Sequence, residues 1–378
     1  MKRYLESYIL QDLNQKIVLL SGPRQAGKTT IAKQLYQSYD YLNYDLSEHR
    51  VVLQEKSWDR HKKLIIFDEI HKMKKWKQWL KGVFDVEGIP PELMVTGSAK
   101  LNVYRKVGDS LAGRYFQYRL HPLDLKELCH KKNHPPEELF AQLWQCSGFP
   151  EPFLKGSKTF YRRWRRTHID IILRQDLLDI QTVKDINSIE TLVQLLKNRI
   201  GSCISYANLA RDLEYDAKTI KRWLELLENL YLIFKVKPYN KNIARSLLKE
   251  PKYYFYDHAY AENDDGARLE NMVAASLLKE LDYIEDTTGK STALRYLRSK
   301  DGRGLDFITL IDEQPRHIIE VKKSDDKPSK HFAYFAKYLP EIKKIQLVKE
   351  LKREKTFADG IEVRSLVHWL AHLDLQQA

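Results

Sequence analysis

Residues Gly22-Pro23-Arg24-Gln25-Ala26-Gly27-Lys28-Thr29 set two glycines, a lysine and a threonine at the spacing G-x-x-x-x-G-K-S/T. The apolar run KIVLLSG (16–22) leads into them and a helical pattern, Thr30–Tyr36, follows, which is the strand–loop–helix setting this spacing requires. Glycines so placed let backbone N–H groups turn into one concavity and hold phosphate oxygens at a helix N-terminus. Lys28 then neutralises β- and γ-phosphates, and the Thr29 hydroxyl ligates Mg²⁺. The expected nucleotide contacts run through Gly22, Pro23, Arg24, Gln25, Ala26, Gly27, Lys28, Thr29 and Thr30, with ATP and Mg²⁺ as cofactors. A second element, Leu64-Ile65-Ile66-Phe67-Asp68-Glu69, is a strand apolar on both faces that ends in two acids. In open α/β sheets, ligands bind at that carboxyl edge. Asp68 is expected in the Mg²⁺ shell and Glu69 as the group that polarises the attacking water. A third strand ends in Val95-Thr96-Gly97-Ser98, where Ser98 could hydrogen-bond the γ-phosphate or the water.

These groups need a sheet to hold them. The runs 16–22, 39–46, 63–70, 92–98 and 115–122 are strand-length, and several lack in/out alternation, as strands buried on both faces of a parallel sheet do. Helical patterns lie between them, so the first 125 residues read as α/β. From about 124 to 200 the pattern is mostly helical and carries a basic block, KTFYRRWRRTH (158–168).

Residues Ser205–Leu213 predict a short helix, Glu214-Tyr215-Asp216 a turn, and Ala217–Leu230 a longer helix with Ile220, Leu224, Leu227 and Leu230 on one stripe. Its outward N-terminal face carries Lys218, Thr219, Lys221 and Arg222, and the extended basic stretch LIFKVKPYNKN follows. The arrangement resembles a winged helix-turn-helix, which implies double-stranded DNA as a partner; a winged helix used for protein contacts is the alternative. Further on, Leu305-Asp306-Phe307-Ile308 starts a strand, Asp312–Pro315 turns it, and Ile318-Ile319-Glu320-Val321-Lys322 returns. Period two puts Glu320 and Lys322 on one face, with Asp306 close by in a hairpin. This resembles the PD-(D/E)XK nuclease core, with Glu270 as an upstream helical acid. Glu270, Asp306 and Glu320 would then hold a second Mg²⁺, and Lys322 would orient the water.

Composition sets limits. Lys and Arg number 64 against 51 Asp and Glu, a net charge of +13 that points to a polyanionic partner. With 43% hydrophobic and 30% charged residues, the chain can bury cores. Three cysteines without metal-type spacing argue against a disulfide framework or a thiolate zinc cluster. No apolar run approaches membrane-spanning length, so no membrane partner and a cytoplasmic location are expected.

The segments GPRQAGKTT, IIFDEIHKMKKW, VTGSAKL, SLAGRYFQYRLHPLDLKEL and PKYYFYDHAY together resemble one prokaryotic family of AAA-type ATP-binding proteins whose C-terminal half is a domain of unknown function. The resemblance implies a P-loop AAA-type ATPase core over 1–150, a helical lid over 151–186, a winged-helix domain over 187–250 and a mixed α/β nuclease-like domain over 251–378. It also implies subunit association into a homo-oligomer. Within SLAGR, Arg114 is expected to reach a γ-phosphate as an arginine finger does. Ala99 departs from the family pattern, where a second Ser is expected. The resulting expectation is a Mg²⁺-dependent ATPase whose nucleotide state controls a DNA-binding C-terminal half. An ATP-gated DNA endonuclease and a nucleotide-switched protein-interaction module stand as alternatives.

Overall fold

The structure, a computed structural model, describes residues 2–98, 111–130, 134–176, 185–240, 250–261, 264–299 and 301–376. Ala99, Ser110 of the SLAGR stretch, the 177–184 part of the expected lid and the Lys241-Asn242 end of the expected wing lie outside them. By its contacts the chain divides into two units. The first comprises Met1–Pro122, Gln175–Thr182 and Asn229–Tyr231, and the second the remainder.

In the first unit the elements run α1 (Glu6–Leu13), β1 (Ile17–Ser21), α2 (Lys28–Gln34), β2 (Tyr39–Asn43), α3 (Ser47–Glu55), β3 (Leu64–Asp68), α4 (Trp76–Glu87), β4 (Glu92–Gly97) and β5 (Tyr115–Arg119). All five strands are parallel, in the order β2-β3-β4-β1-β5. The continuous apolar runs belong to the three central strands, buried at every position, whereas β2 and β5 at the edges are partly exposed. Period two sends Ile17, Leu19, Ile65, Phe67, Leu93 and Val95 to one face. There they meet Trp76, Leu80 and Val83, spaced for one side of α4. Trp58, Phe67 and Trp79 pack edge-on with centroids 5.4 to 5.8 Å apart. Each such pair contributes about 0.5–1.5 kcal/mol beyond its buried area. Phe67 immediately precedes Asp68 at the end of β3.

The second unit contains α5 (Leu125–Cys129), α6 (Pro136–Cys146), α7 (Pro150–Lys155), α8 (Lys158–Ile171), α9 (Ile186–Lys197), α10 (Tyr206–Leu213) and α11 (Ala217–Asn229). There follow β6 (Ile233–Pro238), β7 (Lys252–Phe255), α12 (Asp265–Thr288), β8 (Thr292–Arg298), β9 (Gly304–Ile311) and β10 (Gln314–Lys322). Last come α13 (His331–Ala336), β11 (Lys343–Val348), β12 (Lys355–Thr356), β13 (Ile361–Ser365) and α14 (Leu366–Ala371). One sheet runs β12-β13-β11-β10-β9-β8-β6-β7.

The contact units and strand pairings run across two of the expected boundaries. The first domain was expected to reach residue 150, whereas the N-terminal stretch of the first contact unit runs to Pro122. Beyond it, α5 is fastened to α12 by buried ion pairs: Lys279 Nζ reaches Asp124 Oδ1 at 2.8 Å and Glu127 Oε2 at 2.7 Å, and Lys126 reaches Glu280 at 2.7 Å. Across the expected division at 250, β6 pairs antiparallel with β7 and parallel with β8, so strands from both sides share one sheet.

His258 is buried in this unit, with a ring nitrogen 3.0 Å from Leu143 O. Burial, and secondarily Arg268, push its pKa down to about 4. The unfolded chain, with an ordinary value of 6.5, therefore binds the proton first as pH falls. Folding stability from this site is full above about pH 6.5 and is lost on the way down to about 4. Urea titrations should accordingly show the wild-type advantage over His258→Gln shrinking across that window; a constant difference would contradict this assignment.

Candidate functional site: a phosphate loop and two acids

Gly22 follows β1 with φ 149°, and a Cβ there would lie 2.3 Å from Leu120 O, so no side chain fits. Gly27, at φ 98°, caps α2 in the left-handed region that glycine favours. Between them Gln25 also takes φ 62°. Arg3, absent from the sequence-based set, clamps the loop: its guanidinium donates to Ala26 O at 2.7 Å and His121 O at 2.6 Å. The Lys28 ammonium, nearly buried, donates to Gly22 O at 2.9 Å and Pro23 O at 2.8 Å.

The structure brings Thr29 and Asp68 together, the hydroxyl donating to Oδ2 at 3.1 Å. Two further donors fix this carboxylate: Thr96 Oγ1 on Oδ1 at 2.5 Å and Tyr41 Oη on Oδ2 at 2.6 Å. Tyr41 was not foreseen. It stands on β2, adjacent to β3, with the Lys33 ammonium 3.6 Å from its ring centroid. Burial, then the Asp68 contact, push its hydroxyl pKa up, so it remains a donor.

Glu69 takes φ 55°, the left-handed conformation that a non-glycine residue holds only under local constraint. The constraint is visible: its N–H donates to Thr96 O at 2.9 Å, and its carboxylate accepts from Ser98 N at 3.1 Å and Ser98 Oγ at 3.4 Å. His71 Nε2 lies 3.5 Å from Glu69 Oε2, while its Nδ1 is buried without a partner. Burial lowers the His71 pKa, with Glu69 opposing, so the ring is neutral at pH 7. Thr29, Asp68, Glu69, Thr96 and Ser98 thus form one polar constellation at the carboxyl ends of β3 and β4. Arg114 is not aimed into it: its guanidinium forms a bidentate pair with Asp85 at 2.6 and 3.1 Å.

In the second unit, Lys218, Lys221 and Arg222 are exposed on the first turns of α11, as the stripe of buried Ile220, Leu224 and Leu227 requires. Thr219 is occupied locally, its N–H and hydroxyl both donating to Asp216 at 2.9 and 2.6 Å.

The expected nuclease-like residues also converge. Lys322 Nζ donates to Glu320 Oε1 at 2.6 Å, and Asp306 N–H to Glu320 Oε2 at 3.3 Å. Glu270, however, accepts from Tyr254 Oη at 2.6 Å and from Lys252 Nζ at 3.0 Å, and Lys252 Nζ lies 3.8 Å from Asp306. Behind it, Gly201 approaches so closely that a Cβ would sit 2.6 Å from Glu270 Oε2. Burial, then Asp306, push Glu270 and Glu320 up to about 7. Burial pulls Lys252 down, but Glu270 and Asp306 outweigh it and raise its pKa. Among the described residues no group of three or more His, Cys, Asp or Glu is arranged to hold a metal ion. The Lys252 ammonium thus lies near both Glu270 and Asp306, two members of the expected Glu270–Asp306–Glu320 metal set.

Comparison with known proteins places these features. A family model described as an AAA domain matches residues 14–129, and two models each described as a domain of unknown function match 137–263 and 265–369. An uncharacterized protein of Haemophilus influenzae is 24% identical over 407 residues, covering 98% of both chains. An uncharacterized protein of Mycobacterium tuberculosis is 25% identical over 323 residues, covering 82% of this chain and 70% of its own. A solved RuvB variant from Thermotoga maritima has a TM-score of 0.31 at 17% identity, covering 61% of this chain and 87% of that one. At that score it carries no conclusion about this chain. The matched family and the loop geometry define the N-terminal region as an AAA-type P-loop ATPase domain, a fold that implies nucleotide binding. Among the described residues no helix is long and apolar enough to cross a membrane.

Proposed function

We propose that the first unit binds and hydrolyses ATP with Mg²⁺, and that the bound nucleotide governs DNA binding by the second. The observation that carries the ATPase reading is the joining of Thr29 to Asp68 beside a Glu69 already oriented by Ser98. Lys28 would exchange the carbonyls of Gly22 and Pro23 for phosphate oxygens. Thr29 and Asp68 would hold Mg²⁺, which supplies charge neutralisation on the phosphates when bound. Glu69 would accept the proton of the attacking water, with Ser98 and neutral His71 limiting where its carboxylate can point. Arg114 would act as a finger only after releasing Asp85, which makes it a conditional member of the site.

The DNA reading is supported by local order in the second unit. Helices α9, α10 and α11 are followed by the β6–β7 pair, and Cys203 bridges to Lys252 to add a third extended segment. That sequence of elements is the one a winged helix uses, with α11 offering Lys218, Lys221 and Arg222 to phosphates. Thr219, committed to Asp216, contributes capping more than contact.

Reversing Lys218, Lys221 and Arg222 to Glu is expected to weaken duplex binding at least ~100-fold and to flatten its salt dependence, since each lost phosphate contact removes about one unit of log–log slope. Unchanged duplex affinity in a folded variant would refute this assignment. Salt-insensitive binding by the wild type would favour a protein partner instead.

A further inference from the structure

We propose that Lys252 is a built-in cation that takes the place of a divalent ion in the carboxylate cluster of the second unit, so that this cluster is an ion-pair core rather than a metal site. The inference is independent of the ATPase reading. A metal site needs carboxylate lone pairs free to converge on one point. Here the lone pairs are directed elsewhere. Asp306 Oδ2 accepts from Val321 N at 2.9 Å, which leaves Oδ1 facing Lys252. Glu270 Oε1 receives both Tyr254 Oη and the ammonium. Glu320 gives one oxygen to Lys322 and the other to the Asp306 N–H.

Lys252 cannot easily leave. It is the first residue of β7, its backbone is in register with Val236 on one side and bridged to Cys203 on the other, and its side chain is only 12% exposed. An ammonium so enclosed persists only when paired, and removing it would leave Glu270 and Asp306 as uncompensated neighbours. That pair is what a divalent ion seeks. The charge logic thus runs in both directions: the lysine excludes the ion, and its loss invites one. On this account the domain carries no metal-dependent phosphodiester cleavage, and its hairpin serves as a scaffold for the sheet that also contains β6.

The test uses Mn²⁺ as the probe, titrated calorimetrically into nucleotide-free full-length protein carrying Asp68→Ala, which silences the first unit's own metal position. With Lys252 in place, no saturable site is expected up to about 1 mM, the weak end of protein cation sites. Adding Lys252→Met should create one site at least ~10-fold tighter than that limit, and Asp306→Asn should remove it again. A saturable site in the Lys252 protein that Asp306→Asn abolishes overturns the proposal, as does a folded Lys252→Met protein that gains none. If Lys252→Met does not fold, Lys252→Arg and the Lys252 protein decide between themselves: an Asp306-dependent site in either one overturns the proposal, and its absence in both upholds it.

Discussion

Replacing Lys28 by Ala is expected to weaken ATP binding ~100-fold or more, measured by anisotropy of a fluorescent ATP analogue. The ammonium is almost enclosed by the loop, within 2.9 Å of two of its carbonyls, so phosphates entering the loop meet it in a poorly solvated setting. Opposite charges 4 Å apart at an effective dielectric constant of ~20 attract by about 4 kcal/mol. Even after solvent competition removes a third of that, about 2.7 kcal/mol remains, which is ~100-fold in Kd. The same substitution leaves the Gly22 and Pro23 carbonyls without this donor, so thermal unfolding must be recorded alongside. Unaltered affinity in a folded Lys28→Ala protein would remove the loop from the account.

Glu69→Gln should behave in the opposite way, keeping ATP affinity within a few-fold while kcat falls ~10²- to 10³-fold, the range for loss of a positioned general base. Glutamine retains an oxygen that can accept from Ser98 N, so the left-handed turn at this position and its hydrogen bonds can survive. What disappears is basicity. An uncharged side-chain amide has no carboxylate with which to take the proton of the attacking water. A variant hydrolysing at the wild-type rate would show that Glu69 is not the base.

Much of this site was legible in the chain. The five N-terminal strands fall where the apolar runs put them, because the doubly buried central strands of a parallel sheet carry near-continuous apolar runs that need no tertiary information to be recognised. The edge strand β2 was legible as a strand but not as a source of Tyr41, since its contact with Asp68 depends on the register that sets Asn43 opposite Asp68. Arg3 escaped for a similar reason, since its clamp on His121 spans 118 residues; His71 lies two positions from Glu69 and is set apart only by its burial. The contact division at Pro122 was not legible, because α5 and α6 show the same helical pattern whichever unit they join. Their allegiance is decided by ion pairs such as Lys279–Glu127, 152 residues apart. In the second unit, period two correctly placed Glu320 and Lys322 side by side. It carried no sign of Lys252, whose partner Glu270 lies 18 residues away on a helix.

The central claim is that nucleotide in the first unit sets the DNA affinity of the second. Its most direct test is duplex binding by the Glu69→Gln protein, measured by anisotropy at one fixed salt concentration with and without saturating ATP and Mg²⁺. The account predicts a shift in Kd of roughly 5- to 100-fold, the usual span of a coupling free energy, and no shift in the Lys28→Ala protein. Identical duplex affinity in the two nucleotide states, with ATP independently shown to be bound, would contradict it.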